Sequence, residues 1–142
     1  MENCEFCELA KREDPPPFAE NDYAYAIPDS TPLSVGHTLV ISRRHATNVF
    51  LLPHEDYMGV WDLVRTVKMK LDETERPDGY TVGVNVEPVA GQVVMHAHVH
   101  IMPRRLGDVQ HARGGVRRLL MKPTPVATTA ETASKKPWFK AW

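Results

Sequence analysis

Gly91-Gln92-Val93-Val94-Met95-His96-Ala97-His98-Val99-His100-Ile101-Met102-Pro103-Arg104 is the stretch on which the reading of this 142-residue chain turns. Its odd positions Val93, Met95, Ala97, Val99 and Ile101 are all apolar, and His96, His98 and His100 occupy alternate even positions. Side chains on a β-strand repeat every two residues. A strand over Val93 to Met102 therefore puts the three imidazoles on one face, roughly 6 to 7 Å apart in successive steps, and turns the odd face to a core. A plain core role suits them poorly, because three adjacent buried rings each need hydrogen-bond partners. Two chemistries stay open on the residues alone. One is a catalytic metal held by all three histidines. The other is a nucleophilic histidine flanked by helpers, where a neutral ring attacks phosphorus once its second nitrogen is fixed by a hydrogen bond.

Working outward, Tyr80, Val82, Val84 and Val86 alternate as a half-buried strand, and Pro88 to Gly91 turns the chain into the histidine strand. Before it lies the one strong helix pattern, starting near Pro53, with Glu55 and Asp56 favourably placed at its N-terminal end. Tyr57, Val60, Trp61, Val64, Val67 and Leu71 recur at three- and four-residue spacing on one face, and Arg76-Pro77-Asp78-Gly79 stops the helix. Further upstream, Asp22 to Ile27 carries Tyr23, Tyr25 and Ile27 in alternation, and Thr38 to Ser42 contains Leu39, Val40 and Ile41. The turn-rich residues between them predict antiparallel neighbours, most simply a meander. Cys4 to Lys11 suits a short helix or turn that ends before Asp14-Pro15-Pro16-Pro17. Downstream, Arg104, Arg105, Arg113, Arg117 and Arg118 form a glycine-punctuated basic stretch. Pro123 to Ser134 reads as a linker, and Trp138-Phe139-Lys140-Ala141-Trp142 as an aromatic tail expected to dock on its own or a neighbouring subunit.

A formal net charge of −1 provides no chain-wide basic field for nucleic acid, so any anion site must be local. The longest apolar run, around Val49 to Leu52, is far too short to cross a bilayer, and Met1-Glu2-Asn3-Cys4 lacks the start of a secretory leader. The expectation is a cytoplasmic protein with neither nucleic acid nor membrane as partner. The only two cysteines, Cys4 and Cys7, stand at C-x-x-C spacing. A disulfide there would close a trivially small loop, whereas two thiolates can supply half of a tetrahedral zinc site; the alternative is a pair of reduced thiols.

With Gly91-Gln92 in front, the pattern His-φ-His-φ-His-φ-φ over His96 to Met102, φ being apolar, resembles the signature of the histidine-triad (HIT) family. Cys4-Glu5-Phe6-Cys7 looks like the zinc half-site of that family. Gly36-His37-Thr38-Leu39-Val40-Ile41-Ser42-Arg43-Arg44-His45 looks like its strand ending in a histidine, and Val84-Asn85 like its asparagine strand. The resemblance covers roughly residues 4 to 118 and implies an α+β fold, a HIT domain over 1–122 followed by the linker and tail over 123–142. The implied architecture is an antiparallel sheet of about five strands with one long helix packed on it, in a homodimer whose sheets become continuous.

The resemblance also assigns residues. His45 and His96 complete a structural zinc site with Cys4 and Cys7. His98 is the nucleophile that attacks the α-phosphorus, with the backbone carbonyl near His96 fixing its tautomer, and His100 hydrogen-bonds phosphate oxygens. Gln92 and Asn85 fall at the α-phosphate and the leaving-group side, and Asp29 on the ribose hydroxyls. Phe6, Leu9 and Ile27 fall around a purine base; the plainer reading of Asp29 is a turn residue and of the three apolar side chains a core. The implied activity is that of a nucleotide hydrolase or nucleotidyl transferase acting on a dinucleoside polyphosphate or nucleoside phosphoramidate through a nucleotidyl-histidine. A nucleotide-binding regulatory module with little turnover and a catalytic-zinc hydrolase are the rivals. His37, His54 and His111 are expected at the surface, and Arg104 and Arg105 are the arginines best placed for phosphate.

Overall fold

Five antiparallel strands form in the computed structural model, which describes residues 4–120. They are β1 (Ala19–Glu20), β2 (Ala24–Pro28), β3 (Thr38–Ser42), β4 (Gly79–Gly83) and β5 (His98–Arg104), in spatial order β1-β2-β3-β5-β4. The expected α+β architecture is therefore the one observed. β2 and β3 pair as the meander reading required, and β5, last in sequence, inserts between β3 and β4. In that register Leu39 faces His100 and Ile41 faces His98 across β3 and β5. Pro103 lies beyond the last β3 partner of β5, at a point where a missing N–H interrupts no ladder with β3.

The sheet has two differently covered faces. On one lies the helix α2 (His54–Thr74), whose Val60, Leu63, Val64, Val67 and Leu71 close over Ala24, Ala26, Val40, Ala97, Val99 and Ile101. Pro53 caps α2, and Glu55 and Asp56 occupy its first turn, as the sequence predicts. A fully buried aliphatic side chain contributes about 1.5–3 kcal/mol, so these five helix residues are the main anchor of the fold. The other face carries Tyr25, Leu39 and Ile41, covered by Phe6 from the five-residue helix α1 (Glu5–Leu9). One buried residue and a single turn and a half of helix are too little to hold α1 by packing alone. The buried Tyr25 hydroxyl adds a hydrogen bond of 2.6 Å to the Phe6 carbonyl.

The histidine strand is shorter than the alternation suggests. Its ladder begins at His98 rather than Val93, and Val93 is 91% exposed. β4 stops at Gly83, opposite His100, and β3 stops at Ser42, so residues 92–97 have no flanking ladder to join. Their backbone is held instead by Ala97 N–H to the Ala46 carbonyl at 2.7 Å and His96 N–H to the Val94 carbonyl at 2.8 Å. The same termination leaves Val84 and Val86 outside the strand predicted over 80–86. Contacts divide the chain into units Met1–Gln110 and His111–Trp142; of the second, the described part is a loop leading into a 3₁₀ turn over Gly115–Leu120. The linker and aromatic tail expected over 123–142 lie outside the described residues. No helix among the described residues is long and apolar enough to cross a membrane.

Gly59 sits in α2 where a Cβ would come within 2.4 Å of the Tyr23 ring and 2.5 Å of its Cβ. Because the Tyr23 Cβ is tied to the backbone, the ring cannot swing clear. Gly59→Ala should therefore destabilise the fold by roughly 1–3 kcal/mol despite alanine's better helix propensity, which urea unfolding will show.

Candidate active site and metal centre

Where α1 meets the sheet, Cys4, Cys7, His45 and His96 converge, with their ligand atoms all within 4.8 Å of one another. His96 Nδ1 lies 3.3 Å from Cys4 Sγ, 3.5 Å from Cys7 Sγ and 3.2 Å from His45 Nδ1, and His45 Nδ1 lies 3.4 Å from Cys7 Sγ. Ligand bonds of tetrahedral zinc imply edges of roughly 3.3–3.8 Å, so the four atoms are spaced as such an ion would hold them. The donor chemistry fits as well. His96 is fully buried, and its Nε2–H donates to the Ser42 carbonyl at 2.7 Å, which leaves Nδ1 as a bare lone pair facing the thiols. Burial keeps that ring below the usual imidazole range, in the neutral form a ligand requires. Burial and the adjacent Cys4 push the Cys7 thiol up, a cost that a cation between the sulfurs reverses. All four residues could thus hold one metal ion and tie α1 to the sheet.

Beyond His96, β5 carries His98 and His100 on the α1 side of the sheet, their ring centroids 5.1 Å apart. His98 Nδ1 is 2.6 Å from the His96 carbonyl; a carbonyl only accepts, so Nδ1 carries the proton and Nε2 is a free lone pair. Phe6 packs edge-on against both His96 and His98, at 5.9 and 5.3 Å between centroids. His100 Nδ1 lies 3.1 Å from His37 Nε2 and 3.8 Å from Asp29 Oδ2. Burial, followed by the neighbouring His98 and His37, holds His100 down to about 4. The three strand histidines thus point to separate partners. Among the described residues they do not share a metal centre, which removes the geometric basis for a catalytic zinc held by all three.

Asp29 is more than a turn residue here. Its Oδ1 accepts from the Thr31 amide at 2.8 Å, and its Oδ2 faces the His37–His100 pair. Leu9 and Ile27 are half-buried against the Phe6 cluster, and with Arg12, Tyr25 and Arg43 they line a cavity of about 260 Å³. Gln92 is buried and wholly occupied. Its amide nitrogen donates to the Thr47 and Val94 carbonyls at 2.5 and 3.0 Å, and its oxygen accepts from the Glu87 amide at 2.9 Å. Asn85 is half-buried with one long contact, 3.5 Å to the Gly91 carbonyl.

Two expectations fail. His37, expected at the surface, is 3% exposed and belongs to the histidine cluster, because it continues the side of β3 that carries Leu39 and Ile41. Period-two alternation from Leu39 was the signal that could have found it. Arg104 and Arg105 are not poised for phosphate. Arg104 forks onto Asp108 at 2.6 and 2.8 Å and reaches Thr81, while Arg105 spans the Val35 and Glu75 carbonyls. His54 and His111 are exposed, as expected.

Comparison with known proteins gives this constellation a class. A family model described as the HIT domain matches residues 13–107. The chain is 31% identical over 121 residues to the adenylylsulfatase HINT3 of Arabidopsis thaliana, covering 84% of this chain and 61% of that protein. It is 33% identical over 111 residues to the adenosine 5'-monophosphoramidase HNT1 of Candida albicans, covering 72% and 71%. A Hit-like protein of Bartonella henselae superposes with a TM-score of 0.70 at 31% identity, covering 75% of this chain and 82% of that one. This chain belongs to the HIT family, and the hydrolase names among its relatives support a role as an enzyme. The family match begins after Cys4 and Cys7, so the cysteine pair stands on its own geometry.

Two outcomes are expected. Cys7→Ser should weaken metal binding by more than the roughly 10–100-fold typical of losing a group behind a ligand, and lower the melting temperature with it; metal analysis and calorimetry check both. His100 is neutral when folded down to about pH 4, whereas the unfolded chain takes up this proton near 6.5. Its contribution is therefore complete above pH 6.5 and lost as pH falls toward 4, at no more than about 1.4 kcal/mol per pH unit. Denaturant titrations across that window should show a shallower loss for His100→Gln than for the unaltered chain.

Proposed function

We propose that this protein is a nucleotide hydrolase or nucleotidyl transferase that attacks the α-phosphate of a purine nucleotide, either a dinucleoside polyphosphate or a nucleoside phosphoramidate. The observation that carries the reading is the short bond from His98 Nδ1–H to the His96 carbonyl, which leaves His98 Nε2 unprotonated on the face that also carries His100. In the reaction, His98 Nε2 forms a bond to the α-phosphorus as the bond to the leaving group breaks, and the leaving group departs with its electron pair. The positive charge gained by the His98 ring is shared with the His96 carbonyl. Water then attacks the same phosphorus, releasing the nucleoside monophosphate and restoring the imidazole; an acceptor other than water makes the protein a transferase.

The remaining residues take roles consistent with where they lie. His100 donates to the phosphate oxygens, whose charge grows during transfer. Asp29 Oδ2, next to His100, holds the ribose hydroxyls. Phe6 with Leu9 and Ile27 flanks the base. Asn85 serves the leaving-group side, where its carboxamide has hydrogen-bonding capacity to spare. Gln92 keeps the loop before β5 in place, and a contact from it to phosphate requires exchanging the Thr47 or Val94 carbonyl for the ligand. Zinc at Cys4, Cys7, His45 and His96 is a structural ion in this reading: four protein ligands leave no open position, and the chemistry it supplies is the fixing of α1 and Phe6 beside His98. β4 ends the sheet with one free edge, which supports a homodimer with continuous sheets. Residues 1–122 form the catalytic domain in this reading, and 123–142 a linker and tail.

Two relatives named for adenylyl chemistry, an adenylylsulfatase and an adenosine 5'-monophosphoramidase, favour adenosine substrates. Incubation with radiolabelled adenosine phosphoramidate or diadenosine polyphosphate, followed by acid quench, should trap label on His98. His98→Ala should lower turnover by roughly 10³-fold or more while nucleotide affinity stays within a few-fold. Binding without turnover by the unaltered chain identifies a regulatory module instead.

A further inference from the structure

His37 has no task in the chemistry above, yet it is more deeply buried than His100. Its surroundings define where its proton sits. The Leu33 backbone amide lies 3.1 Å from His37 Nδ1, and a backbone N–H can only donate, so Nδ1 is the acceptor and the ring proton resides on Nε2. That Nε2–H points to His100 Nδ1 at 3.1 Å, with Asp29 Oδ2 as a second acceptor at 3.4 Å. His100 Nδ1 must then accept, which places the His100 proton on Nε2. Its neighbour His98 is fixed in the opposite sense by the His96 carbonyl.

We propose that His37 is a positioning residue that relays the Leu33 amide through its own ring to set His100 in the Nε2–H tautomer. β5 then presents two imidazoles of opposite character side by side, a bare nitrogen at His98 and an N–H donor at His100. A phosphate oxygen requires the donor, because a His100 lone pair in the same place would repel it. The inference deepens the nucleotidyl-transfer reading and rests on it for the identity of the oxygen. Asp29, His37 and His98 are the titratable groups that face His100, and burial keeps both His37 and His100 below the usual imidazole range. Each ring therefore holds one proton at neutral pH, and its position carries the information.

The same accounting disposes of a rival use of this cluster. Asp29, His37 and His100 offer three ligand atoms with edges of 3.1, 3.4 and 3.8 Å, spaced much as a cation would space them. For His37 Nε2 to ligate, however, the ring must give up its only proton while Nδ1 still accepts from Leu33. That leaves an imidazolate or a broken backbone hydrogen bond, so the cluster is a hydrogen-bond relay and not a metal site.

The test is ¹⁵N NMR of the histidine rings in the ligand-free full chain, with kinetics alongside. In the unaltered protein His100 should be a single Nε2–H tautomer. In His37→Leu it should become a tautomer mixture, and His37→Gln, whose carboxamide N–H reaches the position of Nε2, should restore it. Kinetically, His37→Leu should lower kcat by about tenfold or more with KM changed less than threefold, and His37→Gln should recover most of that loss. An Nδ1–H tautomer at His100 in the unaltered protein overturns the proposal, as does an unchanged tautomer in His37→Leu. Equal loss of kcat in both variants overturns it too, since that marks a merely structural ring. Should His37→Leu fail to fold, the unaltered protein and His37→Gln still decide the tautomer. Failure of the unaltered chain to turn over any nucleotide strikes the nucleotidyl reading alone, because the NMR result does not depend on activity.

Discussion

The cysteine–histidine cluster and the histidine strand are joined through one residue, His96, whose imidazole is fully buried. Its Nε2–H donates to the Ser42 carbonyl, its Nδ1 is turned to Cys4, Cys7 and His45, and its own backbone carbonyl accepts from His98 Nδ1–H. One residue thereby joins the end of β3, the N-terminal helix and β5. Were its ring inverted, the bare nitrogen would face a carbonyl and a proton would face the thiols. The first contact would set lone pair against lone pair, in an interior where an unpaired polar group costs about 1–3 kcal/mol, and a protonated Nδ1 could not serve as a metal ligand.

The two faces of the sheet divide the labour. α2 supplies the apolar burial that makes the fold stable, through Val60, Leu63, Val67 and Leu71 against Val40, Val99 and Ile101. The opposite face is covered more thinly, by Phe6 and the half-buried Leu9. Phe6 sits edge-on to His98, and its own carbonyl accepts from the Tyr25 hydroxyl. Apolar packing and the histidine cluster are thereby placed on opposite sides of the same strand, with Val99 and Ile101 on one and His98 and His100 on the other.

Much of this was legible in the residues. The period of Tyr57, Val60, Val64, Val67 and Leu71 placed α2, the turn chemistry around Arg76 to Gly79 ended it, and the alternation of His98, Val99, His100 and Ile101 identified the strand and its two faces. The strand's true start was not legible. Val93 and Met95 keep the alternation, but a ladder needs partners, and β3 and β4 end before reaching them. Arg104 and Arg105 looked like phosphate ligands although Asp108, which claims Arg104, lies only four residues on; the Val35 carbonyl that claims Arg105 is 70 residues away and was not legible. His37 was misjudged because a histidine after Val35-Gly36 has loop composition, which outweighed the period-two alternation that puts it on the side of Leu39 and Ile41.

By itself the sequence determined the strand and helix periods, the pairing of Cys4 with Cys7 by spacing, and the resemblance that named the family. These are properties of residues near one another in the chain, where backbone geometry alone dictates the pattern. Only the tertiary structure decided which way His96 and His100 carry their protons, whereas the carbonyl that fixes His98 lies two residues away in the chain. The choice at His96 and His100 is made by donors and acceptors far off in sequence: Ser42 for His96, across 54 residues, and His37 for His100, across 63. For these two rings the tautomer is set by the partner that the fold brings to the other nitrogen, and no local pattern encodes that partner.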